Sequence, residues 1–209
     1  MPMPTLEKTI DNVLEENNHL QKLLIGGILM FIPIVNIFAL GYIFRAGTNM
    51  LRNSGKFSLP EWNNWPALFI DGLKLVVISI LYAGVPMALA WVISIFLNTI
   101  TMKMLGPIPF FPISIAFLIV PALKYAALYH FQKTGSWESL LDLKEIANLI
   151  TTPYKRHLAI PSIALVGLFF IGAPLFGLAF FLGMLLILPY YYGVYSSSAQ
   201  TVKKSSTKK

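Results

Sequence analysis

Apolar residues in this chain are gathered into long unbroken blocks, and polar residues into two connecting stretches and the two ends. Blocks of that length exceed what a water-facing helix or a pleated strand needs. They predict helices crossing a hydrocarbon layer about 30 Å thick, each using roughly 20 residues. Residues 1–22 are polar and slightly acidic, with Leu6, Ile10, Val13, Leu14 and Leu20 on one helical face, an N-terminal amphipathic segment suited to a membrane surface. Residues 23–44 form the first predicted span. Residues 75–100 and 104–131 form the second and third, joined by a turn around Gly106-Pro107-Ile108-Pro109. Between Leu158 and Val202 no charged side chain occurs, which is room for two crossings, expected over 155–173 and 175–195 with Gly172-Ala173-Pro174 at the apex.

The polar stretches have their own pattern. Ser58 and Glu61 are spaced as a capping box and Phe57 and Trp62 as a hydrophobic staple, which predicts a short interfacial helix starting at Ser58. In the second stretch Leu140, Leu143, Ala147 and Ile150 share a face opposite Glu138, Asp142, Glu145 and Asn148, predicting another surface helix. The Lys/Ser-rich tail 203–209 is expected to be disordered. The fold expected is all-α: a polytopic transmembrane helical bundle of about five spans, one membrane domain over 23–202, with two cytoplasmic interfacial amphipathic helices.

Composition places the chain in the same class. Its 56% hydrophobic and 12% charged residues contrast with a charged share of about a quarter in soluble domains. Zero cysteines exclude disulfides, thiolate metal sites and cysteine nucleophiles. The net charge of +7 matters through its placement. With five spans one side holds Arg45, Arg52, Lys56, Lys74, Lys133, Lys144, Lys155, Arg156, Lys203, Lys204, Lys208 and Lys209, while the other holds only Lys8, Lys22 and Lys103. Twelve against three predicts a multi-pass protein of the cell membrane with the N-terminus outside and the C-terminus cytoplasmic. Lipid is therefore the first expected partner, with anionic headgroups at the basic face. Basic residues spread along one membrane side argue against a nucleic-acid partner.

Several local patterns together resemble a known family: Gly26-Gly27, Pro33, Gly41-Tyr42 and Arg45, then Leu59-Pro60-Glu61-Trp62 with Trp65, Asp71-Gly72-Leu73-Lys74, Tyr82 and Pro86. The chain is similar over residues 23–90 to the prokaryotic integral-membrane family called domain of unknown function 4013, common in archaea. The resemblance implies a several-span membrane fold in a prokaryotic cell membrane and no established activity.

Lys124 is an ionisable residue embedded in an apolar run, where a charge is costly and is a functional candidate by default; its stem could also snorkel to the headgroups. Asp71 and Lys74, three apart, can pair at the mouth of the second span, or Glu61 and Asp71 can form an acidic mouth to a pore. Trp62 and Trp65 mark the interface. Prolines within the spans free carbonyls that transporters use to line sites. Tyr190-Tyr191-Tyr192 reads as an aromatic belt. His19, His130 and His157 are far apart, and no metal-ligand, nucleophile-elbow or phosphate-loop spacing occurs. The expectation is a non-enzymatic protein with no cofactor or metal, acting as a subunit, scaffold or assembly partner beside a membrane protein or its own copies; the alternative is a small-solute transporter or channel.

Overall fold

The computed structural model describes residues 11, 18–53, 56–101, 104, 106–151, 162–163, 165, 167 and 176–206, and among them the regular structure is entirely helical. The α-helices are α1 (His19–Phe31), α2 (Asn36–Arg52), α3 (Trp65–Ser79), α4 (Val85–Ile100), α5 (Phe111–Thr134), α6 (Leu143–Thr151) and α7 (Phe176–Ser206). Among the described residues three helical runs are long and apolar enough to cross a membrane: Trp65–Ile100, Ile108–Thr134 and Gly177–Ser198. The N-terminal segment, apart from Asp11 and residues 18–22, lies outside the described residues. So does the predicted span 155–173, apart from residues 162–163, 165 and 167.

The predicted first span, 23–44, is not one helix. Proline disfavours helical backbone at the residue before it, and α1 stops at Phe31, two residues ahead of Pro33. The chain turns through Ile34, whose φ of 72° is rare for a β-branched residue, and α2 starts at Asn36. Both ends of the block then reach one place. The Lys22 ammonium donates to the Leu59 carbonyl at 3.3 Å, and the Arg45 guanidinium donates to the Asn63 carbonyl at 2.9 Å. The Trp62 indole also bonds the Lys22 main-chain carbonyl at 3.0 Å while its ring stacks on Tyr42 at 4.2 Å, far closer than the roughly 30 Å between the ends of a single crossing. Residues 19–52 therefore form a helical hairpin whose two ends meet at segment 59–63.

The capping box at Ser58 does not start a helix either. Residues 56–61 are extended, and α3 begins at Trp65, with the Asn64 side chain accepting from the Ala67 amide at 3.3 Å. Asn64 sits at φ 50°, a conformation asparagine tolerates, and Pro66 in the first turn needs no amide partner. From Trp65 the helix runs on to Ile100, well upstream of the expected start at residue 75, through a π-helical turn at Ile80–Gly84. Pro86 cannot donate, and the Val85 amide bonds back to the Ile80 carbonyl. Thirty-six residues make a rod about 54 Å long, longer than a bilayer core is thick.

Helix α2 packs on α3, α1 on α7, and α4 on α5. The core lies where α2, α5 and α7 meet, around Tyr42, Leu128, Phe181, Leu185 and Tyr195. The second polar stretch is interrupted at Asp142: a 3-10 turn, Trp137–Leu141, precedes α6, whose first turn is capped by the Asp142 carboxylate accepting from the Glu145 amide at 3.2 Å. That restart rotates the expected face. Leu140, Ile146, Leu149 and Ile150 are buried, whereas Leu143 and Ala147 point outward. Helix α7 extends to Ser206, so residues 203–206 of the predicted disordered tail continue the helix.

Candidate functional site

The extended segment before α3 gathers three of the expected residues. Glu61 forms an ion pair of 2.6 Å with Lys22, whose side chain is 10% exposed. Trp62 donates its indole N–H to the Lys22 carbonyl at 3.0 Å and stacks on Tyr42 with ring centroids 4.2 Å apart. Trp65 stacks on Trp62 and meets Phe38 edge-on. Segment 59–63 thus clips α1 to α2 through three hydrogen bonds from basic side chains, one ion pair and an aromatic stack. Lys22 was not among the expected site residues, and its position in the sequence, just before an apolar block, is indistinguishable from that of an ordinary anchoring lysine.

A second junction lies one layer further along α3. Gly41 and Gly72 let the backbones of α2 and α3 touch: a Cβ at Gly41 would overlap the Leu68 carbonyl, and one at Gly72 the Ile37 carbonyl. Close approach of this kind is the membrane helix's substitute for a hydrophobic driving force. Beside it Lys74 pairs with Asp71 at 2.9 Å and lies 5.4 Å above the Phe44 ring. Glu61 and Asp71 each have their own lysine, so they form two separate ion pairs rather than an acidic mouth.

Lys124 belongs to neither junction. It sits on α5, one turn after Pro121, and is only 8% exposed. Its ammonium lies 4.8 Å above the Tyr125 ring. A lysine that snorkelled along the outer face would be far more exposed.

Around it is a polar seam that hydropathy does not reveal. Tyr125 and Tyr191 stack at 5.0 Å, and Tyr191 stacks on Tyr195. The Tyr125 hydroxyl donates to the Met184 carbonyl at 2.9 Å and Tyr195 to the Ala122 carbonyl at 2.7 Å. Ser162 and the Tyr191 hydroxyl share a bond of 2.6 Å. Tyr192 donates to the Gln132 side-chain oxygen, while the Gln132 amide donates to the Phe44 carbonyl at 2.7 Å. Tyr191 and Tyr192 are therefore core residues joining α5, α7 and α2, and the reading of these two as an interfacial belt is corrected. Buried phenols need hydrogen-bond acceptors, and the helix carbonyls supply them.

Chemically the seam orders helices; its hydroxyls are engaged. Among the described residues no group of three or more His, Asp or Glu side chains could hold a metal ion. No curated protein and no solved structure matches the chain. A family model does match, over residues 25–187, which takes in segment 59–63, the α2–α3 junction and the start of α7. On that match the chain belongs to the family described as protein of unknown function DUF4013.

Proposed function

We propose that the protein is a non-enzymatic module of a prokaryotic cell membrane, a subunit, scaffold or assembly partner for another membrane protein or for its own copies. One observation carries the reading. The segment between α5 and α7 has two apolar faces: Leu140, Ile146, Leu149 and Ile150 are used inside the fold, and Trp137, Leu141 and Leu143 remain 50%, 82% and 66% exposed. A helix that only covers a bundle needs one such face. A second, displayed beyond the end of the spanning helix α5, fits a contact surface.

The associated topology combines the three apolar runs with the crossing expected from the sequence over 155–173, and adds one re-entrant hairpin. Returning residues 19–52 to their starting side moves Lys8 and Lys22 across, so the charge bias rises from twelve against three to fourteen against one, with only Lys103 opposite. That bias supports both termini being cytoplasmic. A transporter reading is favoured by a different feature, the helix break at Pro33, since broken helices line substrate sites in that class.

Native mass spectrometry of complexes gently extracted from the source membrane tests the first reading. The expected result is a stoichiometric associated chain, or a defined self-oligomer, that is lost in a Trp137→Ser/Leu141→Ser/Leu143→Ser variant of unchanged thermal stability. An association untouched by that variant would overturn it.

A further inference from the structure

We propose that Lys124 is the anchoring cation of a site for the acidic headgroup of an anionic membrane lipid. The inference does not depend on the scaffold reading. Three observations carry it.

Lys124 is nine-tenths buried, and among the described residues its ammonium makes no hydrogen bond and no ion pair; its contact is the Tyr125 ring face at 4.8 Å. A buried cation needs an anion, because an aromatic face replaces only part of the lost hydration.

Among the described residues no carboxylate pairs with it. No Asp or Glu occurs between Asp71 and Glu138, and none follows Glu145. Glu61 and Asp71 are already paired with Lys22 and Lys74. Glu138, Asp142 and Glu145 are exposed and lie beyond the end of α5, whose last residue, Thr134, is about 15 Å along the helix from Lys124. The neighbouring phenols are committed to Met184, Ala122 and Ser162.

The surface leading to Lys124 suits an acyl chain. Phe117 lies two turns before Lys124 on the same face of α5 and is 38% exposed, so a lipid whose headgroup meets the ammonium would lay a tail over that ring. Headgroup phosphate is the anion present at high local concentration in a bilayer, and an ammonium–phosphate hydrogen bond is of the strong, charge-assisted kind.

The test is native mass spectrometry of the full chain from nanodiscs of phosphatidylcholine containing a minor fraction of phosphatidylglycerol. The wild type is expected to retain one phosphatidylglycerol in preference to phosphatidylcholine. Lys124→Met is expected to lower that retention by about tenfold, on the scale of one charge-assisted contact. Lys124→Arg should keep it, and Lys133→Met, which removes an exposed lysine on the same helix, should leave it unchanged. The wild type alone decides the matter if Lys124→Met does not fold: no preference for phosphatidylglycerol overturns the proposal. Full retention by a folded Lys124→Met variant also overturns it. Millimolar inorganic phosphate that displaces the lipid would make the ligand a free oxyanion, and a protein chain lost together with Lys124 would make it a partner's carboxylate; either result overturns the lipid assignment.

Discussion

Lys22 and Arg45 bracket the first apolar block from opposite ends, yet both bind the segment 59–63: Lys22 pairs with Glu61 at 2.6 Å, and Arg45 donates to Asn63 at 2.9 Å. A block that looks like one crossing is thereby closed into a hairpin. The same closure sets the way α2 is presented to α3.

The α2–α3 crossing depends on two residues with no side chain. Gly41→Ala or Gly72→Ala puts a methyl group against a main-chain carbonyl that cannot move without shifting its helix. Each is expected to destabilise the protein by about 2 kcal/mol, near the middle of the overpacking range. Thermal unfolding in detergent measures it. Gly84→Ala, whose nearest neighbour is its own helix's Ser79 carbonyl at 3.9 Å, should be neutral or slightly stabilising.

Strain at the hairpin apex makes an opposite prediction. Ile34 holds φ 72° while 76% of its surface is exposed, so glycine there relieves the backbone and loses little packing. Ile34→Gly is expected to raise stability by about 1 kcal/mol. A decrease in melting temperature would mean that the isoleucine side chain matters more than its backbone conformation.

The Lys22–Glu61 pair is half in the protein and half out. The lysine is 10% exposed and the glutamate 69%, so solvent screens much of the attraction. A double-mutant cycle with Lys22→Met and Glu61→Gln should give a coupling of about 0.5 kcal/mol, falling as salt is raised. Coupling near zero at low salt would remove the ion pair from the clip and leave the Trp62–Tyr42 stack as its main element.

Hydropathy alone found the parts of the fold that lipid dictates. Trp65–Ile100, Ile108–Thr134 and Gly177–Ser198 are apolar over a bilayer's length, and the sequence shows it because lipid contact asks only for composition. The hairpin was harder to see because a proline is common in membrane helices that continue through it, and nothing in residues 23–44 marks Pro33 as a stop rather than a kink. The start of α3 was misplaced for a related reason: Ser58 and Glu61 have the spacing of a cap, but Glu61 is taken by Lys22, which no local pattern encodes. Glu61, Trp62 and Trp65 were legible as a group because they lie close in sequence. Lys124 was legible as a charge in an apolar run. The tyrosine seam was not, since Tyr125 lies on α5 and Tyr191 and Tyr195 on α7, and the two helices meet only on folding.

Sidedness of the N-terminus tests the central claim most directly. The chain has no cysteine, so single thiols at the exposed positions 11, 106 and 144 can be labelled on a clean background in intact cells. With a hairpin over residues 19–52, the thiol at 106 labels from outside, and those at 11 and 144 label only after permeabilisation. Labelling of position 11 from outside together with 106 would make residues 23–44 a true crossing and contradict the account.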